Sequence, residues 1–502
     1  MHRSRSLRST LAAVLALTAL PFLSAVSADA ATGGESVTAA PQRPKSLVIG
    51  IDGATFATFG KARMPHLKSL MAQGMTATSN YYAQPMAPTS SGPGWSSIAT
   101  GVWPDKHGVV DNSFDGANYD QYPDYATRVE ASSSPLDTLV VGTWSPIPDT
   151  VFGPATDTRL RGVDDADTTA TAASRLARTR ADATFVQLDE VDSAGHHSGA
   201  GSQRYLDALS TADAQVGRLL QAVASRADYA DENWQIIVTT DHGHTDSGGH
   251  GGNTPQERQT FVIAKGSGFS PGSVRHDVKV TDIAPTVLTH LGISVDPAWQ
   301  LDGRAVSTSV PDSFDPLRSS LRPAVDETGL PSTLKGWTNT APSGWSIDNS
   351  AMPAGGVTEW RGWAFATDEF WTNTQTGQGR ETNVRARDVF AVADSDEWDD
   401  KAHGAGPFDS TLTSPAFPVQ GGATAHVSFV SHYRTDGPQS GDVLVSYDGG
   451  APRPLTSYRT PHHRTEKLSV DVPADVTSLR LHFRYTGTNS AFWTVDQVTV
   501  TR

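Results

Sequence analysis

The chain contains no cysteine. Disulfides and thiolate metal ligands are therefore both excluded, and any metal must be held by imidazole and carboxylate groups. Positive charge is scarce: 39 Lys and Arg stand against 54 Asp and Glu, for a formal net charge of -15. Such a surface favours solubility and argues against a nucleic-acid backbone as the natural partner. Beyond residue 30 no apolar stretch is long enough to span a bilayer, and no terminal apolar tail marks a lipid anchor. No arginine lies between Arg63 and Arg128, and no internal repeat suggests a solenoid or propeller. A chain of 502 residues can build large cores without disulfides and is expected to hold two domains or three.

Arg3, Arg5 and Arg8 form a basic start, followed by an apolar stretch from Leu11 to Leu23 and a small-x-small cleavage site at Ala28-Asp29-Ala30. This is the pattern of a secretory leader over residues 1–30, so the expected location is extracellular. Residues 31–44, small and polar with two prolines, read as a linker.

From residue 45 to about 305 the pattern is strand, helix, strand. Leu47 to Ile51 is a short apolar strand delivered to Asp52. Met64 to Gly74 reads as a helix, because Met64, Leu67, Leu70 and Met71 share a face and Gly74 follows the end. Residues 80–96, rich in Pro, Ser and Gly, read as a shaped loop. Thr184 to Leu188, Trp234 to Thr240 and Phe261 to Ala264 are further strands, and Leu206, Leu209, Val216, Leu219, Leu220 and Val223 recur at helical spacing. Asp282 opens a last helix through Leu291. The fold class expected is α/β, with sites at the carboxyl ends of the strands.

Four fragments end in metal-ligand residue types: Ile-Asp-Gly at 51–53, Asp-Ser-Ala-Gly-His at 192–196, Asp-His-Gly at 241–243 and Gly-His-Gly at 249–251. They supply six ligands, enough for two adjacent ions. Asp192, His196 and His250 are placed on one ion, and Asp52, Asp241 and His242 on the other, where the Ser91 hydroxyl completes the shell. His244 competes for the place of His250, but the Gly-Gly-His-Gly frame favours His250. His197 is read as a rim residue that orients a carboxylate. Thr89-Ser90-Ser91-Gly92-Pro93 presents hydroxyls where a helix starting near Ser91 would aim its free N–H groups at an anionic ester. Asn112 is either a turn residue or a donor to a phosphoryl oxygen. Together these residues imply a two-metal hydrolase that acts on a small phosphate ester through a covalent serine ester.

Residues 45–305 resemble the alkaline phosphatase superfamily, and most of all its type I phosphodiesterase / nucleotide pyrophosphatase branch. The matching stretches are 49–53, 88–112, 187–196, 239–243, 248–266 and 281–292. The resemblance implies an alkaline-phosphatase-like central sheet flanked by helices, with zinc at both sites. It assigns Ser91 as nucleophile and Asn112 as the phosphate-binding asparagine. Typical members of the branch carry threonine-x-proline-asparagine at the nucleophile, whereas this chain reads Ser91-Gly92-Pro93-Gly94, so the usual local aromatic and amide are absent. A sulfatase would need a modified Cys or Ser followed by Pro-x-Arg, which the chain lacks. Phosphodiesters are the expected substrates, with a secreted phosphomonoesterase as the alternative.

Residues 306–334 read as a second linker. Over 335–502 period-two alternation dominates, as at Val443, Val445 and Tyr447, and at Leu479, Leu481, Phe483 and Tyr485. Trp493, Val495, Val498 and Val500 close the chain with one phase break. This is the signature of an all-β sandwich, resembling a secreted jelly roll. Trp360, Trp363, Trp371 and Trp398 are read as core, with sugar stacking as the alternative. Asp394, Asp396, Asp399 and Asp400 read as a solvated loop, with a Ca2+ site as the alternative. Contact with a cell wall or glycan through this region is a further expectation, as is a catalytic part that keeps its chemistry when cut after about residue 310. A non-catalytic binding protein is the remaining class, disfavoured because all six ligands and Ser91 are present.

Overall fold

The computed structural model describes residues 42–133, 135–401, 404 and 406–502. The expected leader and nearly all of the linker that follows lie outside the described residues.

An eight-stranded sheet forms the first half. Its strands are β1 (Arg43–Ile51), β2 (Met75–Asn80), β3 (Thr138–Gly142), β4 (Thr158–Arg161), β5 (Ala183–Leu188), β6 (Glu232–Thr239), β7 (Gln259–Lys265) and β8 (Ser273–Arg275). The spatial order is β4-β3-β5-β1-β6-β7-β2-β8. The β4-β3-β5-β1-β6 portion is parallel, whereas β7 runs antiparallel to both neighbours. β1 is central and buried along most of its length because both sheet faces are covered, which is why it reads as an unbroken apolar run and not as an alternation. One face packs on the helices Pro65–Gln73 and Gln203–Ala224, with Leu67, Leu209, Val216 and Leu219 fully buried. The other packs on the helices Ser91–Thr100 and Ile283–His290, through Trp95, Ile98, Val287 and Leu288.

Two differences from the sequence reading matter. The loop read over 80–96 ends early, because the helix begins at Ser91. This is the helix start expected near Ser91, and proline within a first helical turn sacrifices no intrahelical hydrogen bond. The strand Phe492–Thr501 pairs with Thr424–Tyr433, and its register shifts between Ser428 and Val430, opposite Gln497 and Val498. Gln497 has φ 51°. That extra residue is the phase break between Val495 and Val498: a β-bulge in a continuous strand.

Two antiparallel six-stranded sheets make up the all-β part. One runs in the order Ser346–Asp348, Phe408–Thr413, Ser478–Gly487, Ser440–Tyr447, Arg453–Tyr458, with Phe417–Pro418 added beside the third. The other runs His462–Asp471, Thr424–Tyr433, Phe492–Thr501, Val389–Asp394, Ala364–Thr367, Trp337–Thr338. Trp360, Trp363, Trp371 and Trp398 are fully buried in this core, so none of the four offers a face for sugar stacking. Asp394 accepts hydrogen bonds from Trp371 Nε1 and the Glu397 backbone N–H and pairs with the buried Arg380 at 3.1 Å. The four aspartates at 394–400 do not converge as a metal-ligand group among the described residues. Among those residues no helix is long and apolar enough to cross a membrane.

Candidate active site

The candidate residues gather at the carboxyl ends of β1, β5 and β6, where a parallel sheet presents loop residues on one edge. Asp52 follows the last residue of β1. Asp241 and His242 lie just beyond β6. Asp192 stands in the first turn of the helix Glu190–Ser198 after β5, and His196 lies one turn later on the same face. His250 comes from the glycine-rich loop 248–252. That loop is tied to the one ahead of Ser91: His250 Nδ1 donates to Thr89 O (2.7 Å), Gly251 N to Thr89 Oγ1 (2.9 Å) and Thr89 Oγ1 to Gly252 O (3.1 Å).

Two clusters of ligand types adjoin, Asp52–Asp241–His242 and Asp192–His242–His244–His250, with ligand atoms within 4.8 Å of one another in each. His196 stands at the rim of the second, its side chain 51% exposed. Its Nε2 is 3.0 Å from His250 Nε2 and 3.3 Å from Asp192 Oδ2. The His242 and His250 rings stack with centroids 3.8 Å apart. His242 Nδ1 is engaged with Gly243 O and His250 Nδ1 with Thr89 O, which leaves both Nε2 lone pairs facing the clusters. His197 is exposed and bonds to Ser193 O within its own helix, away from the carboxylates.

The electrostatics suit cations. Asp52 and Asp241 are completely buried, and burial together with the neighbouring carboxylates pushes both pKa values far up. Asp241 Oδ2 has no hydrogen-bond partner. Burial holds His242 and His250 below the ordinary histidine range, in the neutral form that ligates. For Asp192 burial acts upward, but the His244 hydrogen bond and the surrounding imidazoles outweigh it and hold the carboxylate at about 2. Oxygen and imidazole donors with no Lys or Arg paired to them among the described residues fit divalent metal.

Ser91 is the first residue of its helix, and its Oγ lies 3.4 Å from Asp52 Oδ1 and 3.3 Å from His242 Nε2. Ser90 Oγ is buried and without a partner, so of the two serines only Ser91 meets the cluster. Asn112 Oδ1 accepts the Gly92 N–H at 2.7 Å, which leaves its NH2 group free to donate outward. A Cβ at Gly92 would lie 2.6 Å from Asp111 O, and one at Gly94 would lie 2.7 Å from Asp241 Cβ. The missing aromatic and asparagine of the Ser91 segment thus have a local cause, since the neighbouring loops fill their space.

Two participants escaped the sequence reading, and a third was placed differently. Trp95 Nε1 and Gln187 Nε2 both donate to Asp52 Oδ2, at 2.8 and 3.1 Å, and fix the carboxylate. Gln187 did leave a signal, a lone amide inside the buried strand Ala183–Leu188. His244 was set against His250 as a rival, yet the structure brings both to Asp192. His244 is fully buried and bonds Asp192 Oδ1 at 2.7 Å.

Carboxylate–imidazole clusters at the edge of such a sheet, with a hydroxyl held against them, belong to the phosphoester hydrolases of the alkaline phosphatase superfamily. More narrowly, this chain belongs to the type I phosphodiesterase / nucleotide pyrophosphatase family, whose model matches residues 46–152 and 117–381. It is 25% identical over 230 residues to ectonucleotide pyrophosphatase/phosphodiesterase family member 3 of Rattus norvegicus, covering 40% of this chain and 25% of that one. It is 24% identical over 310 residues to GPI ethanolamine phosphate transferase 1 of Saccharomyces cerevisiae, covering 52% and 33%. The chain thus spans a third or less of the length of these curated relatives. Among solved structures, murine ectonucleotide pyrophosphatase / phosphodiesterase 5 covers 50% of this chain and 96% of its own at 16% identity, with a TM-score of 0.41.

Proposed function

We propose that the protein is a secreted, zinc-dependent phosphodiesterase that works through a phosphoseryl intermediate on Ser91. The observation that carries this reading is the position of Ser91 Oγ, at a helix N-terminus and against both Asp52 and His242. Asp192, His196 and His250 would hold one ion, and Asp52, Asp241 and His242 the other, with His244 positioning Asp192. When bound, the ions supply Lewis-acid stabilisation of phosphoryl charge and lower the pKa of the serine hydroxyl. Ser91 Oγ attacks phosphorus and the bond to the leaving alkoxide breaks. Water then attacks the phosphoseryl ester, the P–Oγ bond breaks and Ser91 is regenerated. The N-terminus of the helix Ser91–Thr100 favours the anionic group throughout.

Diester preference is supported by the family and by the absence of an arginine beside Ser91 to neutralise the extra charge of a monoester. An aromatic pair supports it further. Phe114, two residues beyond Asn112, lies 6.0 Å from Trp144, whose backbone N–H bonds to the same Gln187 that holds Asp52. Both rings are partly exposed and offer an apolar surface for a leaving group.

The test is a rate comparison of bis-aryl phosphate with aryl phosphate on one preparation, before and after chelation. We expect the diester to be the faster substrate, chelation to abolish turnover and Zn2+ to restore it. An active metal-free protein would end the metal reading, and a strong monoester preference would make the protein a phosphomonoesterase. Asn112→Ala is expected to cost about 2–4 kcal/mol in the transition state, as for one lost oxyanion donor. An unchanged kcat/KM would return Asn112 to the role of a turn residue that ties down Gly92.

A further inference from the structure

A cavity of about 200 Å³ lies where the edge of the eight-stranded sheet meets the all-β part. Its walls include Asn80 of β2, His276 and Lys279 after β8, Arg318 of the connecting segment, and Lys335 and Glu369 from the second half. Lys279 is the anomaly. It is only 5% exposed, yet its ammonium makes no hydrogen bond and no ion pair among the described residues. A buried ammonium without a partner is strongly unfavourable.

The neighbouring carboxylates do not meet that need. Asp368 accepts from Arg258 Nη2 at 3.1 Å and Asn80 Nδ2 at 2.5 Å. Asp282 is held by both Arg387 Nη atoms, and Asp388 by Arg318. Glu369 and Lys335 are both exposed. Burial lowers the Lys279 pKa to about 8: Asp368 and Asp282 act upward, but Arg387 and Arg258 act with burial and the carboxylates do not outweigh it. Three carboxylates, of Asp368, Glu369 and Asp388, also line the cavity, but Asp368 and Asp388 are paired with Arg258 and Arg318, and the hydroxyls of Thr78 and Ser79 and the Gln259 amide add donors for an acceptor-only guest.

We infer that this cavity is a binding site, separate from the Ser91 centre, for a small oxyanion whose carboxylate or phosphate oxygens take the free ammonium of Lys279. The anion would bridge the two halves of the molecule, since the cavity walls come from both. Binding to the folded state alone stabilises it in proportion to ligand concentration.

The experiment uses the full chain with its metals. Thermal unfolding is followed against inorganic phosphate and, separately, succinate, with sodium chloride at matched ionic strength as reference. For the wild type we expect a saturable rise in midpoint with at least one of the two anions. The preferred anion identifies the oxygen type, phosphate or carboxylate. Lys279→Met should weaken that binding about 10-fold or more, as for a lost charged hydrogen bond, whereas Lys279→Arg should retain part of it. The Ser91 centre is intact in every variant, so phosphate bound there contributes equally and cancels in the comparison. An equal response in wild type and Lys279→Met, or no response beyond chloride in the wild type, would overturn the proposal. If Lys279→Met does not fold, wild-type crystals soaked in selenate decide the matter. An anomalous peak within hydrogen-bond distance of Lys279 Nζ supports the site, and a cavity without one refutes it.

Discussion

Ser91→Ala is expected to lower turnover by roughly 10³- to 10⁶-fold while leaving metal content and fold intact, the scale on which catalytic nucleophiles act. The hydroxyl contributes little to stability: its two contacts, at 3.4 and 3.3 Å, are long, and Asp52 keeps the stronger bonds from Trp95 and Gln187. Without the hydroxyl the carboxylate and imidazole groups of both clusters remain, so metal content should persist. The loss should fall on kcat more than on KM, because the helix N-terminus and Asn112 still face the ester. Burst kinetics with a fast-leaving aryl diester should reveal the phosphoseryl species in the wild type and none in the variant. Near-normal turnover by Ser91→Ala would transfer the attack to water or to Ser90. The second is disfavoured by geometry, since Ser90 Oγ is buried with no partner.

The parts of the fold that could be read from the chain were those in which one periodicity dominates. β1, β5 and β6 are short apolar runs ending at acids, and Gln203–Ala224 carries a clean helical stripe. The helix Asp165–Arg178 was harder to see, because threonine and alanine fill it and only Ala172 and Leu176 bury apolar side chains completely. β2 shows Met-Thr-Ala-Thr-Ser-Asn, with little apolar surface to announce a strand. At the site the ligand types were visible because acids and imidazoles beside glycine are conspicuous. Their supports were not. Trp95 reads as a core residue, which it also is, and its hydrogen bond to Asp52 depends on the helix passing beneath β1. A Cβ at Gly50 would come within 2.3 Å of the Trp95 ring. Such long-range contacts leave no local mark in a single sequence.

The same limit bears on the boundary between the two halves, and it leads to the second large effect. Arg387→Met is expected to destabilise the protein by about 3–5 kcal/mol, the cost of breaking a buried ion pair from one side. Arg387 grips Asp282 with both terminal nitrogens, at 2.7 and 2.8 Å, and donates also to Asp277 O at 2.6 Å. The side chains are 5% and 1% exposed, so water cannot replace the lost charge. Asp282 would keep only backbone donors, from Lys279 at 2.9 Å and Arg304 at 2.8 Å. Arg387→Met combined with Asp282→Asn should recover part of the loss, since it removes the stranded carboxylate. A denaturation midpoint unchanged in the single variant would mean that the pair is solvated in practice. Arg385 reaches across in the same way to Asp302, at 2.9 Å, and Arg258 reaches back to Asp368, at 3.1 Å. Val384 of the second half packs into the core formed around Trp95 and Trp103. A cut after residue 310 would therefore strand Asp282 without its arginine, leave Asp302 with Lys106 alone as cation, and open that core. Against the expectation from sequence of an independent catalytic part, residues 42–310 alone should fail to fold stably. A soluble, metal-loaded and active fragment would show that these pairs fix orientation and contribute little to folding.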